Sequence, residues 1–189
     1  MAKIGLTNLW YSKLTEAADG TPSYEGATSF GKAVSASVSI TNNSAMLYAD
    51  DTLAESDTSF QSGTVTLGVD EDADTVFADV LGHEIDSAGE VVKNANDAAP
   101  WVGLARVITK MVNGVYKYKA EVLLKVKFSE PSADDQTKGE SIEFSTPEIQ
   151  GTIATLANGD WNKTKTFTSK SAAVEYIGGI FAADGSESE

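Results

Sequence analysis

Residues 101–128 read WVGLARVITKMVNGVYKYKAEVLLKVKF, and this stretch decides the fold. Asn113-Gly114 sits between two strand-like runs, and that pair favours the positive φ angles of a type I′ turn. A two-residue turn there sets Val112 opposite Val115 and with it the register of a long hairpin. One face then carries Met111 with Tyr116, Thr109 with Tyr118, Val107 with Ala120, Ala105 with Val122 and Trp101 with Val126, and belongs in the core. The other carries Lys110 with Lys117, Ile108 with Lys119, Arg106 with Glu121, Leu104 with Leu123 and Val102 with Lys125. Its mixture of charges and aliphatics predicts a face turned to solvent or to a partner.

Away from the hairpin, period-two alternation dominates, as in half-buried strands. Between Lys32 and Thr41, Val34, Ala36, Val38 and Ile40 alternate with serines; between Thr64 and Asp70, Val65, Leu67 and Val69 do the same. Ile4–Leu14 is a less regular strand. Further strands are expected over Ser141–Ser145, over Glu148–Leu156 after a kink at Pro147, and over Lys163–Thr168 after an Asn158-Gly159-Asp160 turn. Two helices fit. Ala73–Leu81 has Asp70, Glu71, Asp72 and Asp74 at its positive end and Gly82 to stop it. Ser171–Ala182 buries Val174, Ile177 and Phe181, although Gly178-Gly179 weakens it. The expectation is a β-rich α+β domain, a two-sheet sandwich or partial barrel with one or two short flanking helices. Asn42–Phe60 reads as a long acidic loop, with Asp50, Asp51, Glu55 and Asp57 and no base; a loop of that length is functional or ordered by a partner.

The 189 residues predict one domain over 1–183 and a disordered acidic tail over 184–189. Asp and Glu number 28 against 14 Lys and Arg, a net charge of −14 that disfavours wrapping nucleic acid. The absence of cysteine removes thiol nucleophiles, thiolate metal sites and disulfides. No apolar run approaches the ~20 residues that span a bilayer, and Met1–Gly5 lacks the apolar core of a secretion signal. A soluble chain made inside the cell is expected.

Tests for chemistry fail one by one. Asp70, Asp72 and Asp74 resemble the start of a calcium loop, but its sixth and twelfth positions are Thr75 and Leu81 instead of Gly and Glu. His83, the one histidine, lies beside Glu84 and Asp86 without a placed nucleophile, and reads as a surface residue past a helix end. Neither a dinucleotide fingerprint nor a phosphate-binding loop occurs. No catalytic, metal or cofactor residue is assigned, and an enzyme is not expected. Tyr24, Tyr48 and Trp161 are a conceivable platform for carbohydrate, with core or interface packing the stronger reading.

Charge is segregated. Residues 101–128 hold six bases and one acid, whereas the rest of the chain holds 8 bases and 27 acids. Lysines on an edge hairpin discourage aggregation. Alternatively, the basic face docks on the acidic surface of an identical subunit, a heterologous contact that repeats head to tail into a ring or filament. The candidate interface residues are Asp50, Asp51, Glu55 and Asp57 on the acidic side, and Arg106, Lys110, Lys117, Lys119 and Lys125 on the basic side.

The segment Ala2-Lys3-Ile4-Gly5-Leu6-Thr7-Asn8-Leu9-Trp10-Tyr11 resembles the start of the major tail proteins of long non-contractile-tailed phages and prophages of Gram-positive bacteria. So do Tyr48-Ala49-Asp50-Asp51, Gly63-Thr64-Val65-Thr66-Leu67-Gly68, the hairpin segment Arg106–Gly114, Lys138-Gly139-Glu140-Ser141, Thr146-Pro147-Glu148-Ile149 and Ala157-Asn158-Gly159-Asp160-Trp161. The resemblance implies a tail tube fold of two packed sheets flanked by a helix, also shared with the haemolysin-coregulated tube protein of type VI secretion. It implies six copies per ring, rings stacked into a tube, and strands of all subunits forming one inner barrel. By the same analogy Asn42–Phe60 contacts neighbouring subunits or rings. The implied partners are further copies of the chain, the tape measure protein and the initiator and terminator proteins of the tail. Viral DNA passes through the lumen without specific binding, and the place is the virion tail, assembled in the host cytoplasm. Six copies at −14 each total −84, a charge that repels DNA phosphates. The alternative is a monomeric β-sandwich module for carbohydrate or a receptor, using the exposed aromatics.

Overall fold

The computed structural model describes residues 2–50, 52–70, 73–132 and 146–182. In chain order the elements are β1 (Ala2–Glu16), β2 (Pro22–Tyr24), β3 (Thr28–Gly31), β4 (Ala33–Ala49), β5 (Thr52–Val69), α1 (Asp74–Leu81), β6 (Glu84–Ile85), β7 (Val91–Val92), β8 (Val102–Val112), β9 (Val115–Ser129), β10 (Glu148–Ile153), β11 (Asn162–Phe167) and α2 (Lys170–Ile180). The protein is β-rich α+β. The Ser141–Ser145 strand, Asp51, Glu71, Asp72 and the 184–189 tail lie outside the described residues.

The Asn113-Gly114 turn forms with φ 51° and 78°, both left-handed as the type I′ turn requires. Val112 faces Val115, and the expected register holds as far as Leu104 with Leu123. There it slips. Val102 pairs with Val126, so β9 carries one extra residue between Leu123 and Val126, a bulge that turns Val126 to the face of Leu104 and Leu123. The expected pairs Trp101 with Val126 and Val102 with Lys125 are therefore corrected. Nearby, Gly103 lets two rings close in: a Cβ there would lie 2.6 Å from Tyr24 and 2.7 Å from Phe181.

The hairpin is not at an edge. The sheet order is β2-β1-β8-β9-β10-β5-β4, with β3 also on β1 and β11 on β9. The expected pair of sheets is one continuous nine-stranded antiparallel sheet, which is not closed into a barrel, beside the small β6–β7 ribbon. Both faces of the hairpin base are buried. On one side Leu104, Leu123, Val102 and Val126 join Leu9, Phe30, Leu67 and Ile149 from strands along the whole sheet, so the sheet curls around this first core. Phe77, Val80 and Leu81 of α1 pack into it. On the other side Ala105, Val107, Ala120 and Val122 lie under Ala173, Ile177 and Phe181 of α2 and its C-cap. The face expected to look outward is thus core as far as Ile108, because the curled sheet covers it. Conversely Met111 and Tyr116, expected in the core, lie beyond both cores and are exposed.

Both helices end as their sequences direct. Gly82 takes the left-handed conformation at φ 79°, and its N–H and that of His83 donate to the Ala78 carbonyl. Ser169 caps α2 through Ala172 N–H, and the helix runs through Gly178-Gly179 to Ile180. Asp70 does not serve the α1 dipole. Its carboxylate accepts from Lys32 N–H at 2.9 Å and pairs with Lys32 Nζ at 3.3 Å, joining the ends of β3, β4 and β5.

Phe30 sits at the centre of the first core, 1% exposed, with Tyr11, Phe77 and Phe128 rings 5.5, 6.3 and 5.3 Å away. Phe30→Ala is predicted to lose about 3–5 kcal/mol of stability in urea unfolding, whereas Tyr48→Ser, at an exposed position, leaves the monomer's stability unchanged to within ~0.5 kcal/mol.

Candidate functional site

The segment expected as a loop, Asn42–Phe60, is a continuation of β4 and β5. The two strands stay paired from Asn42 with Phe60 to Ala49 with Thr52, and Asp50 turns the chain at φ 49°. The expected loop is therefore corrected to a projecting ribbon, hereafter the arm. Its root is marked by Phe60 stacked on Trp161, centroids 4.7 Å apart and 12° from parallel. Beyond that root every described side chain from Thr41 to Ser59 is exposed. A strand wet on both faces has no apolar alternation to read, which is why the sequence looks like a loop. At ~3.3 Å per residue the eight residues of one arm strand reach about 26 Å.

The arm tip carries Met46, Leu47, Tyr48 and Leu53, each more than half exposed. The acids Asp50, Glu55 and Asp57 stand among them, exposed and without an ion pair among the described residues. A lone two-stranded ribbon is marginal in water, and among the described residues nothing covers the apolar tip or pairs with the acids.

The basic candidates divide into two groups. Arg106, Lys119 and Lys125 are engaged inside the fold. Arg106 is nearly buried and donates from Nε and Nη2 to Glu121 Oε2 at 2.8 and 2.5 Å, while Lys119 Nζ donates to Glu121 Oε1 at 2.8 Å. Burial of Glu121 raises its pKa, but the Lys119 hydrogen bond and the Arg106 charge outweigh this and leave it below the usual carboxylate range. Lys125 Nζ reaches Glu16 at 2.5 Å and lies over the Trp101 ring. Glu16 also accepts from Ala157 N–H, so Lys125 ties β9 to β1 and to the turn before β11.

Lys110 and Lys117 are different. They face each other across the hairpin, and Lys110 also faces Lys3 of β1. The three lysines form one row across three adjacent strands, and none has an ion pair among the described residues. Like charges directly opposite one another are unfavourable. Lys3 was missed in the sequence because only the β1–β8 register brings it to Lys110. Beside the row, β1 and β4 approach without pairing and leave a cleft of about 290 Å³ lined by Lys3, Leu6, Val34, Ala36 and Ile108, with Arg106 at its floor.

The other candidates are dispersed. Tyr24 is buried in the second core and donates to the Leu124 carbonyl at 2.9 Å, Trp161 is stacked on Phe60, and Tyr48 is exposed on the arm with its hydroxyl donating to Met46 Sδ at 3.7 Å, so the three share no platform. His83 is not a surface residue: its side chain is 6% exposed. Nδ1 meets Asp97 at 2.7 Å and Nε2 meets Glu130, and Lys93 Nζ also reaches Glu130 at 3.1 Å. Its partners are distant in sequence instead of the adjacent Glu84 and Asp86. A ring with a carboxylate on each nitrogen is held as the imidazolium. Among the described residues no group of three acids or histidines could hold a metal ion, and no helix is long and apolar enough to cross a membrane.

The His83 clamp predicts a pH dependence. The Asp97 hydrogen bond, opposed by burial and helped by Glu130, raises the His83 pKa above 6.5. Its contribution is complete below 6.5 and is lost as pH rises through the raised value. Asp97 is lowered by Asn94 N–H and His83, and Glu130 by Lys93 and His83 against its own burial, so their shares fade only in acid. Urea titrations should show His83→Gln most destabilised relative to the parent near pH 5.5–6.5 (about one unit below the ordinary histidine value), with the gap closing at higher pH. A gap independent of pH would contradict the clamp.

No protein-family model matches the chain, and no curated protein matches it in sequence.

Proposed function

We propose that the chain is a structural subunit that polymerises, without turnover, as stacked hexameric rings forming the tail tube of a long non-contractile-tailed phage or prophage. The observation that carries the reading is the arm: about 26 Å of paired strand (eight residues at ~3.3 Å) with both faces wet, an exposed apolar tip, and Asp50, Glu55 and Asp57 without an ion pair among the described residues. Open sheet edges support it. The outer side of β4 has no strand partner among the described residues, and neither has the side of β1 away from β8 ahead of Leu9. Such edges bind further strands through main-chain hydrogen bonds. The unpaired lysine row and the unpaired arm acids supply complementary charge for a head-to-tail contact. The family resemblance stated from the sequence provides the ring and tube.

On this reading the partners are other copies of the chain, the tape measure protein and the initiator and terminator proteins of the tail. Viral DNA is the passenger, repelled by the net negative charge of the ring. The site of action is the virion tail, assembled in the host cytoplasm. The binding-module alternative has only Tyr48 left of its three aromatics as an exposed ring.

Negative-stain electron microscopy of the concentrated protein, with mass measured in solution, tests the proposal. Hollow tubes or rings with sixfold end views are expected. A monomer at every concentration, unchanged when a tail-tip nucleus is added, would overturn it.

A further inference from the structure

Among the described residues none fills the cleft beside the lysine row. Its walls are Leu6 and Ile108 on one side and Val34 and Ala36 on the other, apolar surface with Lys3 at the rim and Lys110 and Lys117 in line behind it. The arm offers the complementary set, Met46, Leu47, Tyr48 and Leu53 interleaved with Asp50, Glu55 and Asp57. Within one subunit the two cannot meet by folding back. Val34 and Ala36 belong to the root of the strand that becomes the arm, and pairing with β5 continues from Ala33 with Val69 to Ala49 with Thr52. The arm leaves the body at the cleft's own wall and runs away from it.

We infer that the arm tip of one copy seats in the β1–β4 cleft of a second copy, its apolar side chains between Leu6, Ile108 and Val34 and its acids on Lys3, Lys110 and Lys117. This rests on the self-assembly proposed above and names the contact that makes it directional. Arm and cleft are different surfaces, so each copy gives one and receives one, and the contact propagates. Two otherwise unfavourable features are resolved together: a ribbon wet on both faces gains a covered face, and three stacked lysines gain counter-charge. Lys119 and Arg106 take no part, since Glu121 already holds them.

Charge exchange tests the contact. Glu55→Lys with Asp57→Lys reverses two of the arm's acids, and Lys110→Glu with Lys117→Glu reverses two of the row's lysines; all four side chains lie outside the two cores. Each variant alone should associate about tenfold or more weakly than the parent, measured by analytical ultracentrifugation, with circular dichroism confirming the fold. Mixed in equal amounts they should recover association, because the two new lysines of one arm face the two new glutamates of the other copy's row and the unaltered arm matches the unaltered row. A second measurement uses the absence of cysteine. Leu47→Cys and Val34→Cys copies, mixed and oxidised, should form a mixed disulfide dimer far faster than Leu47→Cys with Val92→Cys, whose site is equally exposed but distant in the fold. A mixture of charge variants no better than either alone, or equal capture by both cysteine pairs, would overturn the inference. Tubes that persist in both charge variants would remove this contact and leave the tube reading standing. Rescue and selective capture without rings or tubes would do the reverse.

Discussion

A strand buried on both faces needs a cover on each, and in this protein that constraint falls on β8 and β9. One face of the hairpin forms the floor of a core that the rest of the sheet must curl around, and the other forms the seat of α2. The Asn113-Gly114 turn sets the pairing, and a one-residue bulge in β9 lets Leu123 and Val126 face the same core although they are three apart. The partners of Arg106, Lys119 and Lys125 follow from the same pairing, since Glu121 stands opposite Arg106 and Glu16 lies on the neighbouring β1.

What the curl covers and what it leaves uncovered differ in how their charges are arranged. Within the curl, charge is matched locally: Arg106 with Glu121, Lys125 with Glu16, and the His83 ring between Asp97 and Glu130. The row and the arm differ: lysine faces lysine across three strands, and the arm carries acids with no base between Asn42 and Phe60. Exposed ion pairs add little to stability, and here charge of opposite sign stands on the row and on the arm, without an ion pair among the described residues.

The sequence made the central hairpin, its turn, both helices and most strand positions legible, because each is written as a local period, cap or turn. It misled wherever the period was absent or the cover was remote. The arm looked like a loop because strands wet on both faces need no alternation. Val102, Leu104 and Ile108 seemed outward because nothing local reveals that the sheet curls over them. His83 seemed superficial because its partners, Asp97 and Glu130, are 14 and 47 residues away. Of the candidate bases, Lys110 and Lys117 have no ion pair among the described residues, whereas Arg106, Lys119 and Lys125 could be recognised as internal only once Glu121 and Glu16 were placed. Lys3 had no local signal at all, and its role in the row depends on β1 register.

If the proposed contact completes the arm, hydrogen exchange of its amides reads it directly. In dilute monomer, amides from Asn42 to Ser59 should exchange almost as fast as an unfolded chain while Val65 to Val69 stay protected. In the assembled state the arm amides should become protected alongside those of the core. Equal protection of the arm in monomer and assembly, whether high or low in both, would contradict the account.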